Sequence, residues 1–263
     1  MDLQKNSPSE STIFRSVHAF ARRVRGTITS VSTSAPVVAI TFDDGPDPQV
    51  TPRLLAILRR HKARGTFFMR GELARKYPEI VREVASGRHT IGNHSWDHPS
   101  FPEISSKERR WQLTAGHQAI SPHGVHLFRP PFGHQNRESF IDAFFLGYQV
   151  VIWSIESMDW RDQDGNVIAD RVEKETIPGS IIAFHDAVGP VLDVSHRSRE
   201  GTIDAVDLML DRLGGRFRFV TVPELLRHGR PLRIEWTSLG NPKMFSMLRE
   251  PDGKPWRHHA AEQ

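Results

Sequence analysis

The sequence predicts an α/β fold in a single domain: a parallel sheet with crossover helices, closed as a barrel or left open. Three observations predict it. Short apolar runs alternate with stretches of helical apolar spacing from about residue 37 to 225, with no fixed-period repeat. Clusters of charged and imidazole side chains fall where the apolar runs stop. The chain has 263 residues, 38% hydrophobic and 25% charged, enough for one sizeable core.

Val37-Val38-Ala39-Ile40 opens a strand over 37–42 that reads as buried on both faces. Asp43-Asp44-Gly45-Pro46 then turns the chain at the strand's end. Thr51-Pro52 reads as an N-cap followed by proline in the first turn, with a helix to about His61. Thr66 to Met69 is the second strand, and a helix over 72–85 stops at Gly87. His89 to Gly92 is a short strand leading into His94-Ser95-Trp96-Asp97-His98-Pro99. Ser105 with Glu108 forms a capping box before a helix to about Ile120. Val125 to Phe128 is a strand ending at Arg129-Pro130-Pro131-Phe132-Gly133. A helix over 137–146 precedes a strand from Gln149 to Ile155, which feeds Glu156-Ser157-Met158-Asp159-Trp160. A helix over 166–176 leads to a strand from Ser180 to Phe184, ending at His185-Asp186. Thr202 caps a helix to Leu213, Phe217 to Val220 is the last strand, and Pro223 starts a short helix. That makes seven strands.

The domain is expected over 36–230, with an extension at each end. In 1–35, residues 11–25 place Ile13, Phe14, Val17, Phe20, Ala21 and Val24 on one helical face, with Arg15, Arg22, Arg23 and Arg25 elsewhere. Such a helix packs on the domain or, through residues 13–25, touches an anionic membrane. Residues 26–36, rich in Ser and Thr, read as a linker, and 231–263 as an irregular tail. There is no cysteine, which excludes disulfides, thiolate nucleophiles and cysteine zinc sites. No apolar run approaches a membrane span, and MDLQKNSPSE lacks a signal peptide's apolar core, so a cytoplasmic chain is expected, peripheral to the membrane on the second helix reading. The net charge of +4 is spread along the chain and does not point to nucleic acid.

Asp43/Asp44, His94/His98, Arg129, Asp159 and His185 each follow a predicted strand, on the face where α/β barrels carry chemistry. Two adjacent carboxylates there are costly without a cation or arginine between them; alone, they read equally as a solvated turn. His94 and His98 can reach one ion from a tight loop. Asp44 completes a three-ligand set with open positions, suited to zinc or another divalent transition ion. Asp43 is then placed as a general base, and Arg129 can fork onto a carboxylate with two hydrogen bonds. His185 alone reads as a core histidine, but Asp159 would favour its protonated form, which a general acid needs. Trp160 is core, or the apolar wall of a sugar cleft. No Gly-x-Ser-x-Gly elbow surrounds Ser121, Ser154 or Ser157, and no glycine-rich phosphate loop is present.

With these residues the chain resembles the polysaccharide deacetylases with a NodB-homology domain, carbohydrate esterase family four, over about residues 36–228. Thr41-Phe42-Asp43-Asp44-Gly45-Pro46 resembles the first motif, which implies Asp43 as base and Asp44 as metal ligand. His94 to His98 resembles the second, implying both histidine ligands. Arg129 to Gly133 resembles the third, implying that Arg129 orients the base and that the Phe132 N–H helps bind the oxyanion. Glu156 to Trp160 resembles the fourth, implying that Asp159 tunes the acid and Trp160 lines the groove. Ala183-Phe184-His185-Asp186 resembles the fifth, with His185 as acid. Glu156 replaces the family's usual aspartate, and Ala183 the leucine that helps wall the acetyl-methyl pocket. The resemblance implies a distorted (β/α) barrel of about seven parallel strands and one divalent ion: zinc, with cobalt or nickel as alternatives. It implies hydrolysis of N-acetyl groups on an amino-sugar-containing saccharide, whether chitooligosaccharide, peptidoglycan-type or lipid-linked glycan. De-O-acetylation at the same site, hydrolysis of small cyclic amides and sugar binding without turnover are the alternatives.

Overall fold

The computed structural model describes residues 26–189 and 198–239. The helix expected over 11–25, and the part of the tail beyond 239, lie outside the described residues. In chain order the elements are β1 (Thr27–Ser32), β2 (Val37–Asp43), α1 (Thr51–Arg60), β3 (Gly65–Met69), α2 (Gly71–Lys76), α3 (Pro78–Ser86), β4 (Thr90–Asn93) and α4 (Ser106–Ile120). They continue with β5 (Gly124–Phe128), α5 (Arg137–Phe145), β6 (Gln149–Val150), β7 (Ile155–Glu156), α6 (Gly165–Glu175), β8 (Ile181–His185), α7 (Glu200–Leu213), β9 (Arg218–Val220), α8 (Val222–Leu225) and β10 (Arg230–Ile234).

The main sheet runs β6-β5-β4-β3-β2-β8-β7, with β9 paired to the start of β2, and every pairing in it is parallel. Its two outer members, β6 and β7, belong to one stretch of chain, 149–156. That stretch pairs with β5 at one end and β8 at the other, so it curls the sheet into a distorted barrel of seven parallel strand runs. Between its halves, Val151 bridges to Ile28 of β1.

The strand period of two separates the faces. Val38, Ile40 and Phe42 of β2, with Ile182 and Phe184 of β8, belong to the large core packed against α1, α3, α6 and α7. Val37 and Ala39, with Ile181 of β8 and Phe68 of β3, belong to a smaller inner cluster with Ile28 and Val31 of β1. Thr41 and Asp43 therefore continue the inner row of β2, and Ala183 and His185 that of β8. In the register, Thr41 faces Ala183 and Asp43 faces His185.

Several expectations are corrected. Residues 26–36 are not a linker: Ile28 is fully buried, and β1 pairs antiparallel with β10. β10 likewise removes residues 231–234 from the irregular tail. Burial of the β-branched side chains at one end and tertiary pairing along the strand outweigh the loop-like composition. The helix expected over 72–85 is two, because Pro78 has no N–H to continue α2 and instead opens α3. The strand expected over 149–155 is interrupted between β6 and β7. Neither expected threonine cap forms. Thr51 already lies in the first turn of α1, where its hydroxyl donates to Asp186 Oδ2 at 2.6 Å. Thr202 lies inside α7, where its hydroxyl donates to Asp159 Oδ2 at 2.8 Å. Ser105 does cap α4, accepting from the Glu108 N–H.

Candidate active site

Asp44, His94 and His98 converge at the carboxyl ends of β2 and β4, with one ligand atom from each within 4.8 Å of the others. No other group of this kind occurs among the described residues. All three are buried. Asp44 Oδ1 lies 3.0 Å from His98 Nε2 and 3.4 Å from His94 Nε2, while Oδ2 accepts the Gly189 N–H at 3.0 Å. His94 Nδ1 donates to the Arg129 carbonyl at 2.8 Å, which turns the Nε2 lone pair toward the cluster.

The donor set fits a divalent cation. Oδ1 of Asp44 is a buried carboxylate oxygen without a hydrogen-bond partner among the described residues, and it is aimed at two imidazole nitrogens. Burial, opposed by Asp44, lowers His98 to about 4, so near neutral pH its imidazole is uncharged and offers a lone pair. Burial also works against the Asp44 charge, yet attraction from His98 and His94 holds that carboxyl well below its usual range. Oxygen and imidazole nitrogen from three residues make an open set suited to zinc and its neighbours.

Asp43 sits beside this cluster at the end of β2. Its Oδ1 accepts from Arg129 Nη1 at 2.8 Å. The expected two-bond fork is not formed. The same Nη1 donates to Thr41 Oγ1 at 2.7 Å, Nη2 to the Ile152 carbonyl at 3.0 Å, and Nε to the Val151 carbonyl at 3.3 Å. Those carbonyls lie at the interruption between β6 and β7. The guanidinium has no exposed surface and lies 4.2 Å from the Phe68 ring centroid and 5.5 Å from that of Trp153. Burial lowers its pKa and Asp43 opposes this; an arginine remains charged.

Across the register from Asp43, His185 Nδ1 lies 2.7 Å from Asp159 Oδ1, and the His185 backbone N–H donates to Oδ2 at 2.9 Å. Ser157 Oγ donates to Oδ1 at 3.0 Å, and Arg199 Nη1 is 3.9 Å from Oδ2. Together with Thr202, these groups hold a fully buried carboxylate in its charged form. Burial alone would lower His185; Asp159 overrides it and pushes the imidazole up to about 9. With Nδ1 engaged, Nε2 is the nitrogen that can pass on a proton.

The remaining predicted residues are Phe132, Trp160 and Ala183. The Phe132 ring packs edge-on against the His98 ring at 4.3 Å. Trp160 is half-buried, and its indole N–H donates to Glu156 at 2.9 Å, so the carboxylate in this departure from the usual motif anchors the tryptophan. Ala183 is buried on the inner row with His185. The structure thus brings together the acids, ligands and arginine found by sequence reasoning. It adds Thr202 and Arg199 behind Asp159, and Asp186, which accepts the Gly45 N–H at 3.1 Å and braces the turn after Asp44. Thr202 had carried only a capping signal, and Arg199 carried no local signal. Backbone strain concentrates at the same place. Of seven non-glycine residues with positive φ among those described, Asp44, Ser95, His98, Phe132 and Met158 lie in the loops of this site. Such conformations persist where surrounding contacts impose them.

Residues 30–151 match the family model described as Polysaccharide deacetylase. The chain is 33% identical over 194 residues to a peptidoglycan-N-acetylglucosamine deacetylase of Bacillus cereus, covering 72% of this chain and 68% of that protein. A second Bacillus cereus protein of that name is 36% identical over 203 residues, covering 75% and 92%. A chitooligosaccharide deacetylase of Azorhizobium caulinodans is 34% identical over 171 residues, covering 64% and 81%. Among solved structures, the Bc1960 peptidoglycan N-acetylglucosamine deacetylase superposes with a TM-score of 0.72 at 30% identity, over 83% of this chain and 99% of that one.

Proposed function

Because the chain belongs to the polysaccharide deacetylase family, we propose that it removes N-acetyl groups from an amino-sugar-containing saccharide, using one divalent ion held by Asp44, His94 and His98. The chain is a deacetylase, a hydrolase of the carbohydrate esterase family four type. One observation carries the finer reading: Asp43 and His185 face each other across adjacent parallel strands, one on a buried arginine and the other on a buried carboxylate, beside the Asp44/His94/His98 cluster. That arrangement provides a base and a protonated acid around one space.

A zinc-like ion in the cluster would polarise the acetyl carbonyl and make an adjacent water far more acidic than bulk water. Asp43 takes the proton from the attacking water, and Arg129 holds its carboxylate in place. As the carbon–oxygen bond forms, the Phe132 N–H donates to the carbonyl oxygen, where negative charge develops. His185 gives its Nε2 proton to the nitrogen as the carbon–nitrogen bond breaks, since an amide anion leaves poorly. Acetate and a free amine result. Asp159 makes this possible by keeping His185 protonated near neutral pH. Trp160 offers an apolar wall to the sugar ring.

The names of relatives that are peptidoglycan and chitooligosaccharide deacetylases support a peptidoglycan-type glycan or a chitooligosaccharide as substrate, and a lipid-linked glycan is the third class. The test is acetate release by the zinc-loaded protein from N-acetylated chitooligosaccharides, peptidoglycan fragments and lipid-linked amino sugars. A protein with full metal content that releases no acetate from any of them overturns the proposal.

A further inference from the structure

We propose that Trp236, in the segment after β10, is a positioning residue of the deacetylation site, setting the turn that presents the Phe132 N–H. This rests on the reading of that N–H given above. Phe132 (φ 57°, ψ 6°) and Gly133 (φ 67°) are two successive left-handed residues. For phenylalanine that conformation is unfavourable, so it must be imposed from outside. The turn's own bonds are Gly133 N–H to Pro130 O at 3.0 Å and His134 N–H to Pro131 O at 2.9 Å. The Gly133 carbonyl is taken instead by the Trp236 indole N–H, at 2.8 Å. Trp153 also packs against the turn, where a side chain at position 133 would come within 2.9 Å of its ring. Trp236 packs edge-on against that same Trp153, with ring centroids 6.4 Å apart, and Trp153 in turn faces the Arg129 guanidinium.

The segment carrying Trp236 is itself clamped to the loop. Gln135 N–H donates to Ser238 O at 2.8 Å, and Ser238 N–H returns a bond to Gln135 O at 2.9 Å. The buried Gln135 amide donates to the Trp236 carbonyl at 3.0 Å and to Thr27 Oγ1 at 2.9 Å. The β1–β10 ribbon and the residues after it therefore hold the oxyanion-side loop of the barrel.

The test compares Trp236→Phe, which keeps an aromatic ring and deletes the donor, with the wild type, both full-length and zinc-loaded. Losing one neutral hydrogen bond to the turn should lower kcat by about two- to tenfold, with KM and zinc stoichiometry unchanged. A merely structural tryptophan would lower thermal stability and leave kcat per zinc-loaded site intact. A wild-type kcat in Trp236→Phe overturns the proposal. The second measurement needs no variant: the Trp236 indole N–H resonance of ¹⁵N-labelled, zinc-loaded wild type is followed while acetate is titrated. A saturable shift is expected, and an unmoved resonance at saturating acetate overturns the proposal even if the variant does not fold. If wild type releases no acetate from any saccharide, the deacetylation reading fails by itself. If wild type turns over and Trp236→Phe matches it, only the role of Trp236 fails.

Discussion

Asp159→Asn tests the acid assignment most directly, because the structure assigns a cause to the state of His185. The imidazole is pushed from 6.5 to about 9 against its own burial, by Asp159 at 2.7 Å. Asparagine has nearly the same shape but no charge. Burial then acts without that carboxylate against it, opposed only by the lesser attraction of Asp44 and Asp43, and the His185 pKa falls toward its ordinary value. A bound divalent ion repels a charged imidazole in both proteins, so the alkaline limb of the loaded wild type lies somewhat below about 9, and comparison at equal loading isolates the Asp159 effect. The alkaline limb of kcat should move down by more than about two pH units. At pH 8 a group titrating near 9 is about 90% protonated and one near 6.5 only about 3%, so the protonation state alone lowers kcat there by about 30-fold. The amide introduced by the substitution also places a donor against Ser157, Thr202 or His185, so the loss at the optimum adds to this. The assay is acetate release against pH from about 5 to about 10, with zinc content measured on each sample. The metal-free protein carries a second signature. The folded pKa lies above the unfolded one, so this pair's stabilisation is present in full below 6.5 and lost as pH rises through about 9. Thermal melts of the wild type should show that loss, and those of Asp159→Asn should lack it. An alkaline limb at the same pH in both enzymes would refute the reasoning.

Further outcomes follow from the same geometry. His98→Ala leaves two protein ligands and should weaken zinc binding by more than about 100-fold, seen in competition with a chromophoric chelator. Asp186→Asn removes a carboxyl that burial raises to about 7 despite the Thr51 hydroxyl. Because its folded pKa lies above 3.8, the wild type loses stability as pH rises through 7, so the melting temperature of the metal-free variant relative to wild type should increase from about pH 4 to about pH 8. Ala183→Leu adds three carbons on the inner row beside His185 and should reduce the kcat/KM ratio of propionyl to acetyl substrate by about 10- to 200-fold; an identical ratio in the two proteins places Ala183 outside the acyl pocket.

The reacting groups were legible because strand periodicity and strand ends are local properties. Once Val37 to Phe42 reads as a strand, Asp43 and Asp44 must lie at its mouth. The same holds for Arg129 after β5 and His185 in β8. What each group does with its hydrogen bonds was less legible. Arg129 looked like a fork because sequence shows the carboxylate at the end of β2 but not the interruption of the 149–156 stretch, whose carbonyls claim Nε and Nη2. Thr202 looked like a cap because a threonine near a helix start usually is one, whereas its hydroxyl crosses to a carboxylate 43 residues earlier. The β1–β10 ribbon was misread for a related reason. Its strands carry serine, threonine, proline and arginine, and they owe their regularity to each other and to the Ile28–Val151 bridge rather than to their own propensities. Trp236 is the extreme case, since it serves a carbonyl 103 residues away. A left-handed phenylalanine next to a left-handed glycine is held by contacts from outside the turn. One contact comes from the barrel itself, through Trp153. Another comes from the segment after a ribbon strand that composition assigns to a tail. The boundary of the catalytic unit is therefore set by where the contacts of Phe132 and Gly133 end, beyond the last strand of the barrel.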